Sequence, residues 1–139
     1  MTHLQWSDTI SIGVPGIDDQ HKKLVDIINR VERSIIEGTA VKEMGLILKE
    51  LVDYSNFHFQ TEEAFMKSID YKGLAQQIKL HEGFRNKLIG YLMRLKRDEN
   101  VSAHEILYFL KSWVADHIMV EDKRIGAAVA GEPAVRADS

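Results

Sequence analysis

The chain has 139 residues, 45% of them hydrophobic and 28% charged, with a net charge of −3 and no cysteine. That length fits one domain with a real core. The acidic balance argues against a nucleic-acid partner, which needs a basic face, and the lack of cysteine excludes disulfides, thiolate metal sites and a cysteine nucleophile. The N-terminus shows no basic stretch followed by an apolar one, and no apolar run is long enough to span a bilayer, so the expectation is a cytoplasmic protein.

Residues 1–17 read as an extended arm, because Gly13, Pro15 and Gly16 oppose an early helix. Trp6, Ile10, Ile12, Val14 and Ile17 are the side chains expected to pack it down. Four helical stripes follow. The first, over about residues 18–37, carries His21, Leu24, Ile28, Val31 and Ile35. The second, over about 41–69, carries Met44, Leu48, Leu51, Ser55, His58, Glu62, Phe65 and Ile69. The third, over about 73–97, carries Leu74, Gln77, His81, Phe84, Leu88, Tyr91 and Leu95. The fourth begins at Ser102, which stands in capping-box spacing to Glu105, and carries Ile106, Leu110, Trp113, His117, Val120 or Glu121, and Ile125.

Within each stripe the spacing alternates three and four, as on the inner face of a bundle. The connections at 38–40, 70–72 and 98–101 are short, which makes consecutive helices antiparallel neighbours. The predicted fold is therefore all-α: an up-down-up-down antiparallel four-helix bundle over residues 18–126, with an N-terminal arm over 1–17 and a flexible tail over 127–139.

The stripes hold groups that a core does not accept without partners. Buried imidazoles and carboxylates cost free energy unless something satisfies them, and His21, His58, Glu62, His81, His117 and Asp122 all sit on or beside the inner faces. Any one of these has an ordinary reading, since a lone His on an apolar stripe is commonly a hydrogen-bonded core residue. Six together point to a shared metal. Residues four apart share a helix face, so His58 projects with Glu62, and Gln77 with His81. His117 and Asp122 are five apart, roughly 140° around an ideal helix, so their convergence requires a local adjustment. Imidazole and carboxylate without sulfur suit iron, manganese or zinc, two carboxylates with flanking histidines suit a dinuclear centre, and calcium, which takes oxygen ligands, does not fit. Phe59, Trp113, Val114 and Ile118 flank these groups and are expected to pack as core and to wall the site. His3 and His104 lie off the pattern and read as solvated.

At this point the chain resembles the bacterial hemerythrin family over nearly its whole length. The resemblance is carried by Trp6, Gly13 and the run Ile17-Asp18-Asp19-Gln20-His21, by His58-x-x-x-Glu62, and by the closing His117-x-x-x-x-Asp122. It implies a four-helix bundle with two non-haem irons joined by an oxo or hydroxo bridge, binding dioxygen reversibly. It also implies roles: Glu62 and Asp122 bridging, His21 and His58 on the iron that takes dioxygen, His81 and His117 on the other, and Phe59, Trp113, Val114 and Ile118 around the oxygen pocket. The chain departs from the family in the third helix. Tyr71 and His81 fit the pattern, but the first His of the family's His-x-x-x-His falls on Gln77, a weak ligand or a lost one.

The expected function is dioxygen carriage, storage or local supply by a binding protein rather than an enzyme. The alternative is a diiron redox enzyme acting on peroxide, nitric oxide or dioxygen at the under-ligated iron. A helical interaction module with a degenerate site is disfavoured by six retained ligand-type residues.

Overall fold

The computed structural model describes residues 11–131. Its helices are α1 (Pro15–Ile36), α2 (Ala40–Ser68), α3 (Leu74–Lys96) and α4 (Ala103–Trp113); the last continues through a π-helical segment (Val114–Asp122) into α5 (Lys123–Val129). α1 packs on α2 and α4, and α2 on α3. This is the four-helix bundle the stripes predict.

The helix boundaries follow local chemistry. Pro15 opens α1, where its missing N–H costs nothing and its fixed φ suits the first turn. The arm was expected to run to residue 17, and it instead ends at residue 14. Asp18 ties down what precedes it: one carboxylate oxygen accepts from the Ile12 N–H at 2.8 Å and the other from the Ser11 hydroxyl at 2.7 Å. Ile12 and Ile17 then bury against Met66 and Ile125, with Val14 packed beside them. A Cβ at position 126 would collide with the Ile12 carbonyl, so Gly126 is what lets the arm lie against α5. Trp6 and Ile10 of the expected arm contacts, His3, and most of the expected tail lie outside the described residues.

The three turns between helices share one geometry. After α1, Thr39 N–H reaches Ser34 O and Gly38 N–H reaches Ile35 O; the same pair of bonds recurs around Asp70 and Asp98. Gly38, Asp70 and Asp98 all have positive φ, as this helix-ending motif requires. At the start of α4 the Ser102 side chain accepts the Glu105 N–H at 3.2 Å, which is the predicted cap.

The core runs the length of the bundle through Leu24, Ile28, Val31, Leu48, Leu51, Leu88, Ile106 and Leu110. The predicted stripes hold up to His117 except at the end of the second, where Ile69 is exposed and Met66 is buried. Beyond His117, Ile125 faces inward as expected, Ile118 and Asp122 join it, and Val120, proposed for the stripe, is 47% exposed. The π-helical segment is the reason. Its i→i+5 bonds insert a wider turn, which brings Ile118 and Asp122 inward and turns Val120 out.

Candidate metal centre

At one end of the core the apolar layers give way to polar ones. His21, His58, Glu62, His81 and Asp122 have no exposed surface, Gln77 is 2% exposed and His117 3%. α1 supplies His21, α2 supplies His58 and Glu62, α3 supplies Gln77 and His81, and the π segment supplies His117 and Asp122. The wide π turn answers the five-residue spacing of the last pair: residues linked i→i+5 stack on one face, and His117 Nε2 lies 3.2 Å from Asp122 Oδ1.

The donors fall into two groups that could each hold an ion: His21, His58, Glu62 and Asp122 in one, and Glu62, His81 and His117 in the other. Each carboxylate divides its oxygens between them. Glu62 Oε2 stands 3.4 Å from His21 Nε2 and 3.5 Å from His58 Nε2. Its Oε1 stands 3.0 Å from His81 Nε2 and 4.0 Å from His117 Nε2. Asp122 Oδ2 faces His21 Nε2 at 3.1 Å, and its Oδ1 faces His117. Metal–ligand bonds of about 2.1 Å place neighbouring donors ~3–3.5 Å apart, and all of these contacts but the 4.0 Å one fall there.

Four of these atoms face their neighbours without being paired. His21 Nε2, His58 Nε2, Glu62 Oε2 and Asp122 Oδ2 are buried and in no hydrogen-bonding geometry, despite lying so close. His81 Nε2 and His117 Nε2 approach to 3.2 Å. Buried polar atoms left in this state call for an ion. The electrostatics agree. Burial alone lowers the His21 pKa, but the facing carboxylates of Asp122 and Glu62 outweigh it and raise it to about 9. His117 behaves the same way and also reaches about 9. Burial dominates at His58, whose pKa falls. Burial raises that of Glu62, but the surrounding imidazoles overturn this and hold it well below the usual range. The pocket thus favours positive charge between its carboxylates.

Gln77 meets the cluster at Asp122. Its Nε2 donates to Asp122 Oδ1 at 3.0 Å, and its Oε1 is buried without a partner. The amide therefore reaches the cluster, in the place the third-helix pattern assigned to it.

The flanking aromatics lean toward the same group. Phe59 stacks on His81 with ring centres 3.9 Å apart and planes 7° from parallel, and Trp113 stacks on His117 at 4.5 Å and 12°. Val114 and Ile118 are fully buried on the π segment. A cavity of about 440 Å³, lined by Leu80, Phe84, Phe109, Trp113 and His117 among others, opens between α3 and α4.

Two residues at the site were not foreseen. The Oε2 of Glu63 accepts from His81 Nδ1 at 2.7 Å, and the Oε1 of Gln20 accepts from His58 Nδ1 at 2.8 Å. Each is the sequence neighbour of an expected ligand, Glu63 of Glu62 and Gln20 of His21, which was the available signal. His104 is exposed, as expected.

A buried cluster of four histidines and two carboxylates inside a helical bundle defines a class: proteins that hold metal between helices. Residues 13–129 match the family described as the hemerythrin HHE cation binding domain, and the chain belongs to the hemerythrin family. It is 33% identical over 122 residues to a bacteriohemerythrin of Pseudomonas aeruginosa, covering 88% of this chain and 78% of that one. A bacteriohemerythrin of Clostridium acetobutylicum is 30% identical over 123 residues, covering 85% and 95%. Among solved structures, wild-type hemerythrin matches with a TM-score of 0.82 at 25% identity, covering 90% of this chain and 96% of that one.

Proposed function

We propose that the protein is a non-haem diiron protein that binds dioxygen reversibly, for carriage, storage or local supply. The observation that carries the reading is the division of the Glu62 and Asp122 oxygens between two imidazole groups. A single ion would not need both carboxylates turned both ways. Two irons, when bound, would supply the electrons that a reversible dioxygen complex requires.

The chain's own residues then have distinct tasks. His21 and His58 would hold one metal and His81 and His117 the other, with Glu62 and Asp122 each able to offer an oxygen to both. The hydrogen bonds of His58 to Gln20 and of His81 to Glu63 hold a proton on the outward Nδ1, so Nε2 is the nitrogen that would ligate a metal. Phe59, Trp113, Val114 and Ile118 wall the site in apolar surface, which keeps water and protons away from a bound oxygen species.

A second reading is supported by a specific observation. Gln77 offers an amide where the family has imidazole, and the cavity beside His117 leads to that same side. A diiron enzyme turning over peroxide, nitric oxide or dioxygen would use such an opening. The visible spectrum of anaerobically reduced protein on adding air separates the two. A charge-transfer band that appears with air and disappears on removing it supports carriage. Immediate irreversible passage to the oxidised form contradicts it and favours redox chemistry.

A further inference from the structure

We propose that Glu63 is a positioning residue for the second metal position, where its charge behind His81 offsets the imidazole absent at position 77. The inference rests on the two-iron reading above and deepens it.

The two hydrogen-bonded imidazoles are backed unequally. Behind His81 stands a carboxylate, with Glu63 Oε2 at 2.7 Å from Nδ1. A carboxylate only accepts, so Nδ1 carries a proton there, and Nε2, 3.0 Å from Glu62 Oε1, is the nitrogen that would turn its lone pair to a metal. Phe59 lies flat on the ring and fixes its plane. Behind His58 stands a neutral amide. Thr61 donates to the Phe57 carbonyl at 3.1 Å, Gln20 Nε2 donates to Thr61 Oγ1 at 3.4 Å, and this chain turns Gln20 Oε1 toward His58. Both arrangements select the same tautomer. Only one adds charge.

That charge matters because a hydrogen bond to an ionised group is roughly twice as strong as a neutral one, and a carboxylate behind a ligating imidazole raises its basicity. The Nδ1 atoms of His21 and His117 have no hydrogen-bond partner among the described residues. His81 is thus the one imidazole of the four with a carboxylate behind it, and it sits one helical turn from Gln77. The Glu63 side chain is 26% exposed, while the His81 ring it meets is fully buried. Its position follows from sequence: on α2 it is the next residue after inward-facing Glu62, about 100° further around the helix, which aims it at α3.

The test uses full-length protein reconstituted with ferrous iron under anaerobic conditions and challenged with a ferrous chelator. Glu63→Gln keeps size and an acceptor oxygen but removes the charge. It should speed release of one of the two irons ~10-fold, the lower end for outer-shell losses at metal sites, and leave the other iron at its original rate. In a Gln77→His background the effect of Glu63→Gln should shrink, because a third imidazole then anchors the same iron. Glu63→Gln should lower the metal-loaded thermal midpoint more than the metal-free one. Release of both irons at the wild-type rate overturns the inference while leaving the two-iron reading intact. So does a metal-free midpoint that falls as far as the metal-loaded one, which would make Glu63 a structural residue. Wild-type protein that takes up no iron overturns the reading beneath it instead.

Discussion

On the side of α1 and α2, His21 and His58 project from uninterrupted α-helix. On the side of α3 and the fourth helix, His81 projects from α-helix but His117 depends on a π segment. Each side has two imidazoles; Glu62 belongs to both, and Asp122 turns its Oδ1 to the second side 3.2 Å from His117 Nε2. What differs is the support. The first side has a neutral amide behind one ring. The second has a carboxylate behind one ring, aromatic rings stacked on both, and an amide from Gln77 in place of a further imidazole. Equal donor counts can therefore hide unequal sites, because backing charge, ring clamping and backbone register all act on the same lone pair.

The largest test of the comparison removes what the two sides share. Glu62→Ala should abolish loading of both irons, whereas His21→Ala should leave one side's donors intact and retain about half the metal. Iron analysis after anaerobic reconstitution reads the difference, and equal iron content in the two variants would count against the bridging role of Glu62.

Gln77→His strengthens one side only. The new ring would stand one turn before His81 on the same face, and imidazole is a better donor to iron than a neutral amide oxygen. Retention of one iron against a chelator should improve on the order of 10-fold or more, by analogy with outer-shell effects of that size, and turnover of peroxide or nitric oxide should fall. If iron retention and the lifetime of the oxygenated band are both unchanged, Gln77 does not act on the metal.

A smaller effect concerns protons, one site from each side. In the metal-free protein His21 and His117 have pKa values of about 9, raised above their ordinary 6.5. Groups raised on folding stabilise the native state fully below 6.5, and that contribution drains away as pH climbs through about 9. Metal-free protein should therefore lose stability across this window, and metal-loaded protein should not. Iron uptake at pH 7 should release about two protons per chain, since ligating imidazoles must be neutral. Thermal midpoints against pH and proton release in weak buffer check both, and a flat alkaline limb without metal would contradict the charge assignment.

The smallest effect lies in the wall. Val114→Thr is close to isosteric and places a hydroxyl on a residue with no exposed surface. Iron content should stay the same and oxidation of the oxygenated form should quicken severalfold, read as decay of the visible band. Unchanged decay would remove Val114 from the wall.

Much of this was legible in sequence because it depends on helical period. A three-four alternation fixes which residues face inward, so the bundle and the burial of His21, His58, Glu62, Gln77, His81 and His117 follow from spacing. The five-residue step to Asp122 signalled an irregular helix without revealing its kind. A regular period placed Val120 or Glu121 on the stripe, and the π turn moved the register to Ile118 and Asp122. Glu63 and Gln20 were missed because they lie off the stripe: each meets the site sideways, through a neighbouring helix, and no period within one helix reports such contact. Pro15 was read as a barrier to helix when, at the first position, it begins one.

The central claim is that two metal positions share Glu62 and Asp122. The most direct measurement is an anaerobic ferrous titration of the metal-free protein, followed by metal-dependent absorbance. The account predicts a break at two equivalents per chain, reduced to none by Glu62→Ala. Saturation at one equivalent, or a Glu62→Ala protein that still takes up two, would contradict it.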